Sequence, residues 1–185
     1  MKKNIKRKIL YLALGALATY LASQGLLPQE EKIKQNENPP KPGYYRVLKV
    51  IDGDTLAIEM SGKSETLRLI GINTPETVDP RKPVECFGKE ASDKAKKLLT
   101  GQDIKIEKDP TQDERDKYNR LLVYVYKEDG LFFNKYMVEE GYAYEYTYNL
   151  PYEYQTEFKA AQKQAEENRK GLWAEGVCGS SKNLQ

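Results

Sequence analysis

No histidine occurs among the 185 residues of this chain. Its absence excludes hydrolysis by a Ser-His-Asp triad, zinc sites with histidine ligands and acid–base catalysis by histidine. Any catalysis must therefore use carboxylates, arginine, lysine, tyrosine or a metal ion. Cysteine is also scarce, with two residues, and tryptophan occurs once.

The body of the chain lacks an excess of positive charge. The formal net charge of the whole sequence is +2, but residues 1–27 hold five basic and no acidic residues. The remainder carries 25 basic and 28 acidic side chains, a net charge of −3. No broad cationic surface is expected, so any contact with a polyanion must be concentrated at one site.

Residues 1–27 have the pattern of a signal peptide or membrane anchor, because a basic start precedes a long apolar run. Ala16-Leu17-Ala18 offers a cleavage site after Ala18; an amphipathic helix of a soluble protein is the alternative. Residues 28–43 are a polar, proline-rich linker, residues 44–175 a folded domain and residues 176–185 a tail. We expect a secreted protein, or one held on the outer face of the cytoplasmic membrane.

Cys86 and Cys178 are the two cysteines. In an exported protein such a pair is expected to form a disulfide, which would tie the region after the first strands to the carboxyl terminus. The alternative is two unpaired thiols. A metal site is not expected from two isolated cysteines without histidine.

The fold is predicted to be α+β and mainly a β barrel. Apolar and β-branched runs indicate strands, and periodic apolar residues followed by glycine indicate helices. The strands are expected at 45–51, 55–60, 66–72, 103–107 and 121–126, and the helices at 88–100, 134–140 and 153–170. Five short strands with an intervening helix favour a small closed barrel with three helices.

The first hairpins are predicted to bring polar residues together. Asp52-Gly53 is a strong signal for a two-residue turn, and a second turn centred near Gly62 would place Asp54 almost opposite Gly71. Asn73 follows just beyond, so two oxygen ligands converge. Side-chain alternation puts Arg68 on the other face, and a bulge at Gly71 would be needed to turn it toward this site.

Four motifs in a fixed order resemble the staphylococcal nuclease family. They are Asp-Gly-Asp-Thr at 52–55, Arg-Leu-Ile-Gly-Ile-Asn-Thr-Pro-Glu at 68–76, Glu-Cys-Phe-Gly-Lys-Glu-Ala at 85–91 and Asp-Lys-Tyr-Asn-Arg at 116–120. Each motif alone is weak, but the combination is specific and spans about residues 45–173. The resemblance implies an OB-fold barrel with three helices. It also implies a calcium-dependent endonuclease that cleaves DNA and RNA with low sequence specificity and leaves 3′-phosphates.

The resemblance extends to individual residues at the metal site. It implies that Asp54 gives the metal a carboxylate and Thr74 its backbone carbonyl, and that Glu76 is the general base for water. Asn73 stands where the founding member has a second metal-binding aspartate, so it offers only a neutral oxygen. We therefore expect weaker calcium binding than in a site with both carboxylates. Asn119 stands where the founding member has glycine, a mild change because asparagine tolerates left-handed backbone.

The same resemblance makes Arg68 and Arg120 the phosphate-binding pair, with Lys117 and Tyr118 lining the nucleotide pocket. The chemistry agrees independently, because a phosphodiester needs its oxygens neutralised as charge builds up. A hard cation with oxygen ligands does this, and two arginine forks match the phosphate geometry. Taken singly, each of these residues also fits a turn, a surface ion pair or a solvated position.

Six tyrosines crowd residues 142–154. Thr147 takes the place of a stacking tyrosine of the founding member, so Tyr146 and Tyr148 are the candidates for stacking on bases. The alternative is that alternate rings pack on the barrel or on Trp173.

The favoured function is thus a calcium-dependent nuclease. Its partners would be DNA and RNA that are single-stranded or locally open, with membrane contact only through residues 1–27, and we expect a monomer. Two alternatives remain: a non-catalytic OB-fold module that binds nucleic acid or a protein, and a surface adhesion domain with the tyrosines as its interface. The joint presence of Asp54, Arg68, Glu76 and Arg120 favours the nuclease.

Overall fold

The computed structural model describes residues 39–77 and 83–178, which lie within one compact unit. The predicted targeting segment and most of the linker lie outside the described residues. Within these residues, no helix has the length and apolar character required to cross a bilayer.

The barrel consists of five strands: β1 (Tyr45–Asp52), β2 (Thr55–Met60), β3 (Lys63–Leu69), β5 (Asp103–Glu107) and β6 (Leu121–Lys127). They close in the order β1-β2-β3-β6-β5. Neighbours are antiparallel except for β3 and β6, which run parallel. This five-stranded barrel with three helices is the predicted OB fold.

The three helices are α1 (Gly88–Leu99), α2 (Phe133–Glu139) and α3 (Gln155–Glu167), and a 3-10 turn follows at Gly171–Trp173. Each lies within two or three residues of its predicted bounds. The apolar stripe of α1 packs against the barrel through Ala91, Ala95 and Leu99, which are fully buried. Amphipathic spacing therefore located the helices correctly.

The register of the β2–β3 hairpin differs from the prediction. Its turn consists of Ser61 and Gly62, both with positive φ (52° and 73°), which is the two-residue type that suits hairpin twist. Thr55 consequently pairs with Arg68, and the Leu69 N–H donates to the Asp54 carbonyl at 3.0 Å. The expectation that Asp54 faces Gly71 was wrong by two residues, because the turn is centred one residue earlier than assumed.

The β1–β2 turn is also displaced by one position. Asp52 pairs with Thr55, so the two turn residues are Gly53 and Asp54 rather than the predicted Asp52-Gly53. The register of β1 shifts between Val50 and Asp52, which marks a bulge or irregularity that ends the regular ladder. As a result, Asp54 lies in the turn itself and at the end of the barrel.

A short second sheet was not predicted. After β3 the chain turns at Ile70-Gly71, where Gly71 has φ of 79°, and forms β4 (Ile72–Asn73). β4 pairs with β7 (Tyr144–Glu145), so that Asn73 lies opposite Tyr144. The third strand therefore ends at Leu69 rather than at the predicted Ile72, and the chain leaves the barrel by a turn at Gly71, where a bulge had been expected.

Cys86 and Cys178 form a disulfide with their Cα atoms 5.8 Å apart. The bridge joins the residues just before α1 to the last described residue of the chain. Phe87, between Cys86 and α1, packs its ring against Tyr142 with centroids 5.6 Å apart.

Candidate active site

The β1–β2 turn presents a buried carboxylate at the open end of the barrel. Asp54 Oδ1 accepts a hydrogen bond from the Thr55 hydroxyl at 3.0 Å, and Oδ2 accepts one from the Thr74 backbone N–H at 2.9 Å. Asp54, Thr55 and Thr74 are all buried. The second bond ties the turn to a segment 20 residues later, so Asp54 and Thr74 meet as expected.

Gly53 permits this close approach. A Cβ placed on Gly53 would lie 2.5 Å from Thr74 Cγ2 and 3.0 Å from Thr74 Oγ1. Real Cβ atoms do not approach so closely, so any other residue would displace Thr74. The Thr74 Oγ1 atom is itself buried, and it has no hydrogen-bond partner within the described residues.

Arg68 reaches the same carboxylate from β3. Its Nη1 donates to the carbonyl oxygens of Leu69 and Ile72 at 2.7 and 2.8 Å, which anchors the guanidinium to the turn after β3. Its Nη2 lies 3.4 Å from both Asp54 Oδ2 and Asn73 Oδ1. The turn at Gly71 brings Asn73 back to Arg68. Arg68 therefore reaches this site, although strand alternation alone predicted that it would lie on the opposite face.

Arg120 is held by Asp116, the residue that begins the turn leading to Arg120. Its Nε and Nη2 lie 2.7 and 2.6 Å from Asp116 Oδ2, and Asp116 Oδ1 accepts the backbone N–H groups of Tyr118 and Arg120. Asn119 completes the turn with φ of 64°, in the left-handed region that asparagine tolerates. Burial raises the pKa of Asp116, but the bonds from Arg120 outweigh it and the net pKa is lowered.

Arg120 connects to the Asp54 carboxylate through one hydroxyl. Its Nη1 donates to Thr55 Oγ1 at 3.3 Å, and Thr55 in turn donates to Asp54 Oδ1. Both arginines therefore converge on Asp54, one directly and one through Thr55. Two guanidinium groups beside one carboxylate form a pocket suited to a phosphate and a small cation together.

Glu76 lies two residues beyond Thr74, at the edge of this group. The Thr77 backbone N–H donates to its Oε1 at 2.8 Å, and its own N–H donates to Glu85 Oε2 at 2.9 Å. Burial raises the pKa of nearby Asp52; the Gly53 N–H and Thr77 hydroxyl oppose this, while the charges of Asp54 and Glu76 add to it. The carboxylates of Asp52, Asp54 and Glu76 thus lie close enough to interact.

A groove of about 570 Å³ extends from the arginines along the surface. Its walls include the pocket residues expected from sequence, namely Lys117, Tyr118, Tyr146 and Tyr148. These three tyrosines are among the most exposed large side chains, at 68%, 42% and 64%. Solvent-exposed aromatic rings along a groove that begins at two arginines suit the bases of a nucleic acid strand.

The other tyrosines of the 142–154 stretch are packed rather than free. Tyr144 packs edge-on against Trp173, with ring centroids 5.4 Å apart, and Tyr152 and Tyr154 pack against Phe158. Tyr142 contacts Phe87. The alternative that rings pack on the barrel or Trp173 therefore holds for Tyr144, on Trp173, and for Tyr154, which also contacts Tyr124 of β6. Tyr142 and Tyr152 pack instead on Phe87 and Phe158.

The donor set around Asp54 fits a hard cation. The candidate donor atoms are all oxygens: the Asp54 carboxylate and the Asn73 amide oxygen, which each lie 3.4 Å from Arg68 Nη2, and the backbone carbonyl of Thr74, whose N–H is bonded to Asp54. No cluster of three or more acidic, cysteine or histidine side chains with metal-binding geometry occurs in the described part of the chain. A cation at this site would therefore rest on one carboxylate and on neutral oxygens.

Comparison with known proteins decides the family. The family model described as staphylococcal nuclease homologue matches residues 66–175. The chain belongs to the staphylococcal nuclease family. It is 44% identical over 130 residues to a thermonuclease of Staphylococcus hyicus, an alignment covering 70% of this chain and 75% of the relative.

Two further relatives support membership. A thermonuclease of Staphylococcus intermedius is 36% identical over 174 residues, or 92% of this chain and 98% of the relative. Endonuclease YncB of Bacillus subtilis is 34% identical over 147 residues, or 79% of this chain and 69% of the relative. This family member is a nuclease, and nucleic acid is its substrate.

Three residues of the site were missed by sequence reasoning. Asp116 holds Arg120, Thr55 joins Arg120 to Asp54, and Glu85 binds the Glu76 backbone. Asp116 carried a usable signal, because aspartate at the start of a turn commonly accepts N–H bonds from the residues that follow. Glu85 carried none, since its role depends on two segments meeting in space.

Proposed function

We propose that this nuclease is a calcium-dependent endonuclease that hydrolyses phosphodiester bonds of DNA and RNA with low sequence specificity and leaves 3′-phosphates. The single observation that carries the proposal is the convergence of Arg68 and Arg120 on Asp54. It supplies an anion site and a cation site within one pocket.

Calcium would be held by the Asp54 carboxylate, the Asn73 amide oxygen and the Thr74 carbonyl. When bound, it supplies positive charge beside the phosphate oxygens and so favours attack at phosphorus. The buried bond from the Thr74 N–H fixes the orientation of the Asp54 carboxylate. Asp54 lies in the β1–β2 turn, whereas Asn73 and Thr74 lie at the end of β4 and just after it. The close contact between Gly53 and Thr74 holds these two segments together.

The two arginines bind the scissile phosphate. Arg68 is fixed by two backbone carbonyls and Arg120 by Asp116, so neither guanidinium loses much freedom when the substrate arrives. Fixed charge directed at the place where negative charge grows lowers the barrier more than charge that must reorganise. Arg120 also lies 5.3 Å from the Tyr118 ring. A base stacked on that ring would therefore lie next to the phosphate that Arg120 binds.

Glu76 is assigned the proton-accepting role. In the proposed reaction a water oxygen forms a bond to phosphorus while the bond from phosphorus to the 5′-oxygen breaks. Glu76 takes the proton that the attacking water releases, and the departing 5′-oxygen takes a proton from solvent water to become a hydroxyl. The 3′-oxygen keeps the phosphate. Without histidine in the chain a carboxylate must serve as the base, and Glu76 lies two residues beyond Thr74, which is bonded to Asp54.

Low specificity follows from the character of the groove. Aromatic faces stack on any base, and arginine contacts with phosphate carry no sequence information. Lys117 lies 5.1 Å from the Tyr118 ring, so its charge is placed beside the same strand. Exposed bases are required for stacking, which favours single-stranded or locally open substrates. The disulfide fits export, either to the cell exterior or to the outer face of the cytoplasmic membrane.

The test uses the purified full chain and single-stranded DNA, with calcium or with excess chelator, beside a Glu76→Gln variant. The proposal expects cleavage with calcium, none with chelator, and a loss of about 100-fold or more in the variant, as for removal of a general base. End analysis of the products should find 3′-phosphates. Tight binding without cleavage under every divalent metal tried would overturn the proposal.

A further inference from the structure

The segment that carries Glu76 is paired with a second segment nine residues later. The Glu85 N–H donates to the Glu76 carbonyl at 2.9 Å, and the Glu76 N–H donates to Glu85 Oε2 at 2.9 Å. The two bonds fix both polar groups of the Glu76 backbone. One of them is made by the Glu85 side chain, so a substitution at Glu85 can remove that bond.

The start of α1 supports this pair from behind. A Cβ on Gly88 would lie 2.7 Å from Thr77 Cγ2, 3.0 Å from the Pro75 carbonyl oxygen and 3.2 Å from that of Glu76. The Gly88 N–H also donates to the Glu85 carbonyl at 3.0 Å. The backbone on either side of Glu76 therefore lies directly on the first residue of a helix that is packed on the barrel.

The neighbouring disulfide anchors the same segment. Cys86 follows Glu85 directly and is bonded to Cys178. The peptide that presents the Glu85 carboxylate is thus held by the bridge on one side and by α1 on the other. A carboxylate held in this way can fix the position of Glu76, although Glu85 itself is exposed to solvent.

We propose that Glu85 is a positioning residue for Glu76, acting through its bond to the Glu76 backbone N–H. Glu85 does not touch the substrate, and its effect reaches the reaction only through the orientation of the Glu76 carboxylate. Small displacements of a catalytic group lower the rate far more than they lower binding. The inference rests on the proposed role of Glu76 as general base.

The experiment compares kcat and KM for calcium-dependent cleavage of a single-stranded DNA oligonucleotide by the full chain. Glu85→Ala removes the acceptor, and Glu85→Gln keeps an oxygen that can accept the same N–H. We expect kcat of Glu85→Ala to fall about tenfold with KM within about twofold of wild type, and Glu85→Gln to restore most of the loss. Glu90→Ala removes an exposed carboxylate on α1 and is the matched control, expected to change neither constant.

A second arm separates this inference from the proposed function. In a Glu76→Gln background, Glu85→Ala should change kcat by less than about twofold, because the group it positions is already gone. Amide hydrogen exchange at Glu76 should accelerate in Glu85→Ala and return toward wild type in Glu85→Gln. Equal kcat for wild type and Glu85→Ala, or equal losses in both Glu85 variants, would overturn the inference. A Glu76→Gln variant with wild-type kcat would instead remove the proposed base, and the inference with it.

Discussion

Asp116 and Arg120 close one turn by pairing with each other, with Arg120 Nη2 2.6 Å from Asp116 Oδ2. The same carboxylate accepts the backbone N–H groups of Tyr118 and Arg120. One side chain therefore shapes the loop and orients the guanidinium that completes the proposed phosphate site.

An Asp116→Asn variant should separate these two tasks. The amide oxygen can still accept the backbone N–H groups, but the charge that holds Arg120 is lost. We expect kcat/KM to fall about tenfold, with a loss of unfolding free energy of less than about 1 kcal/mol, because the pair is partly exposed. Steady-state cleavage and urea unfolding measure the two effects.

Asp129→Asn is the matched control for this change. Like Asp116, Asp129 pairs with a basic side chain, that of Lys127, and accepts a backbone N–H, that of Leu131. It lies in a turn that does not line the groove. Its kcat/KM should stay at the wild-type value. If both variants kept full activity, Asp116 would shape the loop without fixing Arg120 for the reaction.

Gly53→Ala should damage the active site by steric contact. The added Cβ would lie 2.5 Å from Thr74 Cγ2, so Thr74 must move and its N–H bond to Asp54 must lengthen. We expect a loss of stability of about 1–3 kcal/mol, as for overpacking, together with a fall in kcat. Thermal unfolding and initial rates at saturating calcium provide the measurement.

Gly62→Ala offers the comparison at the other end of the same strand. Gly62 has positive φ but nothing within 4 Å of an added Cβ, so the cost is backbone strain of about 1–2 kcal/mol. Activity should be preserved at temperatures where the variant is folded. Equal loss of kcat in both variants would show that general destabilisation, rather than the displacement of Thr74, lowers activity.

Sequence reasoning predicted the strands and helices but not the register of the hairpins. The barrel strands and the three helices follow from alternation and amphipathic spacing, which are local properties of the chain. The register of the β2–β3 hairpin does not, because Ser61 adopts positive φ and moves the turn centre by one residue. A shift of one residue in a turn moves the cross-strand partner by two, which is why Asp54 faces Leu69.

The site divides in the same way. Asp54, Arg68, Asn73, Thr74, Glu76 and Arg120 are all recognisable from family motifs, and the structure places Asp54, Arg68, Asn73, Thr74 and Arg120 in one network of contacts. The short strands β4 and β7, of two residues each, are too short to produce a pattern. The contact of Glu85 with Glu76 depends on how α1 docks, and sequence spacing does not encode it.

Removing the disulfide should cost much of the stability of the fold. The bridge closes a loop with a sequence separation of 92, and the chain-entropy model gives about 4–5 kcal/mol for a loop of that length. A Cys86→Ser/Cys178→Ser variant should lose this amount in urea unfolding. Added reductant should lower the stability of wild type to the same value and leave the variant unchanged. A loss below about 1 kcal/mol would mean that the bridge restrains the unfolded chain very little.

Asp109 makes the stability of the fold depend on pH. Burial raises its pKa, but bonds from the Tyr124 hydroxyl, the Glu153 N–H and Thr111 outweigh burial, so the net pKa lies below the ordinary value of 3.8. Because the folded pKa is depressed, the stabilisation is complete above the unfolded pKa, about 3.9. It is lost as the pH falls from there through the folded pKa.

An Asp109→Asn variant tests this linkage. At pH 7 it should lose about 1–3 kcal/mol of unfolding free energy, because buried donors lose a charged acceptor. The difference from wild type should shrink as the pH is lowered below about 4. Asp113→Asn changes an exposed residue of the same loop, and its unfolding free energy should match that of wild type at pH 7 and below about pH 4. A difference that stayed constant down to pH 2 would assign the loss to packing rather than to the charge.

Asn73 is expected to limit the calcium affinity of the proposed cation site. Its side-chain oxygen lies 3.4 Å from Arg68 Nη2, so an aspartate there would add a negative charge beside both the cation site and a guanidinium. Since Asp54 is the one carboxylate of the donor set, Asn73→Asp should tighten calcium binding about tenfold or more. Isothermal titration with calcium alone measures this without any cleavage. Glu59→Gln, on the far part of β2, removes a charge outside the donor set and should leave the affinity unchanged. Calcium binding no tighter in Asn73→Asp than in wild type would mean that residue 73 does not contribute an oxygen to the cation.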